Sequence, residues 1–213
     1  MKITTLAAAA ALFATQASAV VVGGAITGGA ALTNGGSFLE LSGGGFSVGN
    51  DTFNNYNLYA FNEDQNIVIP SEISVDIGTN PLAGQTVASH YVFFDPPGTA
   101  TRQALGWVEF DAEIYGVATS TVNLAASDFL INNSVTYLNP SLRGLESVDS
   151  VWFTSGEPNR LYIDLRAGSP GDYVRVFTME SPTAAAVPIP ASGLLLLGAL
   201  GLGSVLRRRD KTR

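Results

Sequence analysis

In the stretch "GWVEFDAEIYG", Glu109, Asp111 and Glu113 occupy every second position. On a β-strand, alternate side chains share one face and lie about 6.5–7 Å apart, so the three carboxylates would line up on a single side. That separation suits two carboxyl groups that divide acid and nucleophile or base roles at a glycosidic bond. The same oxygens also suit a hard cation such as calcium, or the hydroxyls of a bound glycan, although no D-x-D-x-D-G loop accompanies them. The plainer reading is a solvent-facing acidic row, with Val108, Phe110, Ala112 and Ile114 forming the buried side of the strand. Trp107 shares the parity of the acids, and with Trp152 it makes up the two tryptophans available for stacking on a sugar.

The E-x-D-x-E spacing resembles the corresponding strand of the jelly-roll β-glucanases. That resemblance, confined to these few residues, implies Glu109 as nucleophile, Asp111 as its neighbour and Glu113 as acid/base. Other catalytic chemistries lack their residues. With no cysteine there is no thiol nucleophile and no cysteine-ligated metal. His90, in "ASHYVFFDP", is the only histidine and has Asp95 five residues later. A Ser-His-Asp triad of the hydrolase type would need a G-x-S-x-G turn, which the chain lacks. A single histidine also excludes a His-rich metal site, so His90 reads as a strand residue hydrogen-bonded locally. "NDTFNNYN" offers amides and a tyrosine to a glycan, but asparagine clusters usually mark turns. "RGLESVD", with Arg143, Glu146 and Asp149, reads as the ion-paired start of a strand.

The elements that must position these residues are nearly all β. "RLYIDLRA" alternates Leu161, Ile163 and Leu165 with Tyr162, Asp164 and Arg166, the period of a half-buried strand. "DYVRVFTME" repeats the alternation, with Val174 and Val176 against Tyr173, Arg175 and Phe177. Between them, Gly168, Ser169, Pro170 and Gly171 supply turn chemistry, which predicts a terminal hairpin. Further strands are predicted over 38–41, 57–61, 67–69, 73–77, 87–94, 105–117 and 148–153. One helix is predicted over 123–131, capped by Asn123, with Leu124 and either Phe129 or Leu130 facing inward. Many short strands with one helical insertion predict an all-β fold, an antiparallel β-sandwich of jelly-roll character.

Both ends read as addresses rather than as parts of that sandwich. Residues 1–19, "MKITTLAAAAALFATQASA", combine a lysine start, an apolar run and small residues at Ala17 and Ala19. This is the pattern of a secretory signal peptide, with signal peptidase cutting after Ala19. At the other end, the uncharged run 191–206 would cover about 24 Å as a helix, short of a hydrocarbon core of about 30 Å. Arg207, Arg208 and Arg209 follow it as a basic stop that holds the end on the cytoplasmic side. Pro188 and Pro190 stop the helix from extending upstream.

This order of motif, short apolar helix and basic stop resembles the PEP-CTERM class of bacterial sorting signals. The motif is Val187, Pro188, Ile189, Pro190 and Ala191, closest to a V-P-L-P-A variant, with Ile189 where the name-giving form has glutamate. The resemblance covers residues 187–213 and implies an exosortase in the inner membrane as processing enzyme. It further implies transient anchoring through the helix and delivery to the cell surface or extracellular matrix.

Residues 20–186 are left as the working domain, and they hold five arginines and no lysine against 17 of the 18 acidic residues. Such a surface repels nucleic acid and anionic membranes. The expectation is therefore an exported structural or interaction protein of the surface or matrix, with extracellular polysaccharide as a partner and without catalysis or an obligatory cofactor. Calcium or glycan binding is the second reading and glycoside hydrolysis the third.

Overall fold

The computed structural model describes residues 20–180. The predicted signal peptide at 1–19, residues 181–186 and the predicted sorting segment at 187–213 lie outside the described residues. Among the described residues no helix is long and apolar enough to cross a membrane.

The order begins with β1 (Val21–Gly28), the one-turn helix α1 (Gly29–Thr33), β2 (Phe38–Leu41), β3 (Ser47–Val48) and β4 (Leu58–Asn62). Two short strands follow, β5 (Ile67–Val68) and β6 (Ile77–Gly78), then the long β7 (Thr86–Phe94) and β8 (Arg102–Phe110). After β9 (Ile114–Ala118) come helix α2 (Thr121–Ala126) and β10 (Thr136–Tyr137). β11 (Ser150–Thr154), β12 (Glu157–Ala167) and β13 (Asp172–Thr178) complete the order.

Strands β1, β8, β12 and β11, in that order, form an antiparallel sheet. The second sheet runs β2, β4, β7, β13, β9 and β6, with β5 attached to β7. Its β2–β4 pair is parallel, which makes this sheet mixed rather than wholly antiparallel as expected. Between the sheets lies a core to which the first contributes Val108, Phe110, Leu161, Ile163 and Leu165, and the second Leu58, Val92, Phe94, Val174 and Val176. The result is a mostly β, sandwich-like molecule. Close packing at the edge depends on a small residue: a side chain at Gly24 would stand 2.5 Å from the ring of Phe38.

The second sheet is buried on both faces, which the sequence reading did not foresee. Its other face, with Tyr59, Phe61, Tyr91, Phe93, Tyr173 and Phe177, packs beneath α2, the 3-10 turn Asp128–Leu130 and the β3–β10 ribbon. Phe93 alone meets the rings of Phe53, Tyr59, Phe61 and Tyr173 at centroid distances of 4.9–6.4 Å. Strand β13 is accordingly buried at every position instead of half-buried.

Two predicted connections change character. The strand expected over 105–117 is two strands in different sheets, because the chain turns at 111–113 and passes from β8 to β9. Phe110 and Ile114 thereby reach the core from opposite sides. Nor do β12 and β13 form a hairpin: β12 pairs with β8 and β11, whereas β13 pairs with β7 and β9. Leu161, Ile163 and Leu165 cover Val174 and Val176 across the core, a contact that side-by-side pairing would forgo. Of the predicted strand at 73–77, only Ile77 enters a sheet.

The predicted helix is shorter and starts earlier. Ser120, not Asn123, caps α2, its Oγ accepting from Asn123 N at 3.3 Å. Asp76 holds the same turn, accepting from Thr119 N at 2.6 Å, Ser120 N at 2.8 Å and Asn123 Nδ2 at 2.8 Å. Against the upward push of burial, these bonds keep the Asp76 carboxyl below the usual aspartate range. Leu124 and Leu130 are fully buried, while Phe129 is exposed.

Candidate functional site

The outer face of the four-stranded sheet gathers most of the chemistry-bearing residues. Because Val108 and Phe110 turn inward, Trp107 and Glu109 project outward from β8. Cross-strand register sets Trp107 opposite Tyr162 on β12, and Tyr162 opposite Trp152 on β11. With strands about 4.8 Å apart, the three aromatics form a row across the sheet. The rings of Trp152 and Tyr162 lie within 13° of parallel at 5.5 Å. Trp152 is 42% exposed and the outermost of the three.

Polar groups frame that row. The Arg160 guanidinium lies over the Trp107 ring at 4.4 Å, donates to Glu109 Oε2 at 2.7 Å and to Glu157 Oε1 at 2.6 Å. Tyr162 OH donates to the other oxygen of Glu157, and Gln103 Nε2 donates to Asp164 Oδ1 at 2.7 Å. Trp152, the exposed edge member of the row, can stack on the apolar face of a sugar ring, and the donors and acceptors beside it can hydrogen-bond the hydroxyls. The alternation in "RLYIDLRA" contained the signal for Arg160 and Tyr162. What it lacked was the register that places them beside Trp107 and Trp152.

The three acids of "GWVEFDAEIYG" do not share one strand face. Glu109 belongs to β8 and the aromatic row, Asp111 is half-buried in the turn, and Glu113 is exposed just ahead of β9. Among the described residues, they are not a group whose ligand atoms converge on one point. Asp111 instead lies close enough to His90 to act on its charge.

His90 is fully buried on β7, its Nδ1 2.8 Å from Asn62 Oδ1, its Nε2 3.2 Å from Thr178 Oγ1, and its ring beside Phe110. These partners are neighbours across the sheet rather than along the chain. Burial, only partly opposed by the charge of Asp111, lowers its pKa to about 3 and keeps the imidazole neutral. The asparagine-rich segment serves turns: Asn50, Asp51 and Asn54 all adopt positive φ. Beside it, Tyr91, Tyr137, Leu142 and Tyr173 line a cleft of about 10 Å³, room for a water at most.

"RGLESVD" is not an ion-paired segment. Arg143 leaves its acidic neighbours for Asp128, at 2.5 Å. Glu146 and Asp149 meet Asp172 at the start of β13. Burial first, and the charges of Asp149 and Glu146 after it, push the Asp172 carboxyl up to about 9. No local pattern points to this meeting, since Asp172 lies more than twenty residues downstream in another element.

Arg175, expected on an exposed face, is fully buried. Its Nε and Nη2 donate to the two oxygens of Glu63 at 2.6 and 2.9 Å, and Nη1 donates to Leu124 O and Ser127 Oγ, each at 2.8 Å. This interaction joins β13 to the end of β4 and to α2. No protein-family model matches the chain, and no curated protein or solved structure was found to match it.

Proposed function

We propose that this chain is an exported cell-surface or extracellular-matrix protein, sorted by an exosortase through residues 187–213, whose β domain is a non-catalytic interaction module for neutral glycans. The observation that carries the interaction reading is the aromatic row of Trp107, Tyr162 and Trp152 with its polar frame. Pyranose rings offer apolar faces to aromatics and hydroxyls to the flanking carboxylates and amides. Charge supports the choice of a neutral glycan. With 17 acids in residues 20–186 against five arginines, polyanions are repelled.

The sorting part of the proposal rests on the three-part order of the tail. The jelly-roll assignment belongs to the same reading: it is supported by the chain passing between sheets at 95–101, 111–113 and 168–171.

Affinity electrophoresis of the mature protein in gels containing neutral β-glucan or mannan tests the interaction. Retardation is expected with at least one of them, weakened about tenfold by Trp152→Ala. Unchanged migration in every neutral polysaccharide would leave the row as sheet packing alone. Expression in hosts with and without exosortase, followed by intact mass, tests the address. Loss of the tail only in the exosortase host is expected, whereas an intact C-terminus in both would make it a plain anchor.

A further inference from the structure

Three carboxylates converge where the two sheets meet. Glu146 and Asp149 belong to the loop leading into β11 of the four-stranded sheet, and Asp172 opens β13 of the other. One ligand oxygen from each lies within 4.8 Å of the other two. Calcium holds its oxygens at about 2.3–2.6 Å, so oxygens on opposite sides of one ion are about 4.6–5.2 Å apart. The trio therefore fits within one calcium coordination sphere.

A second observation points to a missing positive partner. Asp172 is 2% exposed, and its buried Oδ2 accepts no hydrogen bond. A buried carboxylate oxygen without a donor is costly unless a cation or proton meets it. The charged groups that act on Asp172 are Asp149 and Glu146, both acidic, and Arg166 contributes only its backbone N–H. Among the described residues, none of the three acids enters an ion pair with a side chain.

Asp149 is also held in place beforehand. Its Oδ2 accepts from Glu146 N at 2.9 Å and its Oδ1 from Arg166 N at 2.7 Å. Each carboxylate oxygen keeps a further lone pair for a metal. Glu146, on the exposed side, gives a route in from solvent.

We propose that Glu146, Asp149 and Asp172 bind one calcium ion that fastens the loop before β11 to the first residue of β13, and so one sheet to the other. Waters complete the shell. In a chain without cysteine, such an ion supplies the cross-link between layers that a disulfide would otherwise provide. Calcium at this trio requires neither a bound glycan nor the sorting tail.

Thermal unfolding of the EDTA-treated mature protein, titrated with calcium chloride alone to about 10 mM, tests it. A saturable rise in Tm of about 5–10 °C is expected when calcium reaches 100 times its Kd. Asp172→Asn should abolish the rise, and Glu146→Gln, altering an exposed residue, should move its midpoint to higher calcium. Glu109→Gln should leave the rise intact, separating this site from the acidic row of β8. A flat Tm in the unaltered protein, or a full rise retained in both Asp172→Asn and Glu146→Gln, overturns the proposal.

Discussion

Strand β13 carries two buried ionisable groups three residues apart, and the surroundings of Arg175 and Asp172 differ completely. Arg175 shares a face with Tyr173 and Phe177, and every nitrogen of its guanidinium meets an acceptor from Glu63, Leu124 or Ser127. Asp172 shares the opposite face with Val174 and Val176, and its nearest charged neighbours, Asp149 and Glu146, bear its own sign. The first arrangement is complete, with opposite charges and short hydrogen bonds. The second is incomplete until a proton or another cation meets it. Burial of charge alone therefore does not separate a structural clamp from a binding site; the sign and pairing of the neighbours do.

The largest effect that would break this comparison is expected at Arg175. Arg175→Met leaves Glu63 charged and buried and should cost about 3–5 kcal/mol in urea denaturation, much of it recovered on adding Glu63→Leu. A loss below about 1 kcal/mol would show that the pair is no clamp.

His90 adds a third way of housing a buried ionisable group, by keeping it neutral. Its folded pKa of about 3 lies below an unfolded value of about 6.5, so below pH 6.5 the unfolded chain binds the extra proton. This contribution is fully present above pH 6.5 and is lost at up to about 1.4 kcal/mol per pH unit as pH falls toward 3. His90→Gln should flatten that part of the pH–stability curve, and an unchanged slope would count against a neutral buried ring.

At Asp172 the expected sign reverses. Because Asp172, pushed up to about 9, holds its proton in EDTA at pH 7, Asp172→Asn should leave Tm unchanged or raise it by no more than about 2–4 °C. A fall of several degrees would make Asp172 a structural acceptor like Glu63 and erase the contrast. Trp152→Ala, on the exposed edge of the aromatic row, should change stability by no more than about 0.5 kcal/mol. A larger loss would shift the row from recognition toward packing.

Local alternation and turn residues marked strands and core positions, although the same kind of pattern wrongly made β12 and β13 a hairpin. Alternation in "RLYIDLRA" marked Leu161, Ile163 and Leu165 as the core side of a strand, and all three are buried. The boundaries of β2 and the burial of Leu124 were legible in the same way. The aromatic row was half visible, through Trp107 and Trp152. The carboxylate trio was not, because Asp172 comes from a different sheet, and no spacing within "RGLESVD" points to it.

By itself, then, the sequence determined the β-rich class, the turns between most strands, the acidity of the working domain and the absence of thiol or histidine-cluster chemistry. Period-two hydrophobicity, turn residues and composition act over a few neighbouring positions or none. Tertiary structure alone decided that residues 105–117 divide between two sheets and that β12 faces β13 across the core. It also decided that Arg175 is enclosed and that Glu146, Asp149 and Asp172 converge. Each of these depends on covering an apolar face with a segment distant in the chain, a requirement that no local pattern encodes.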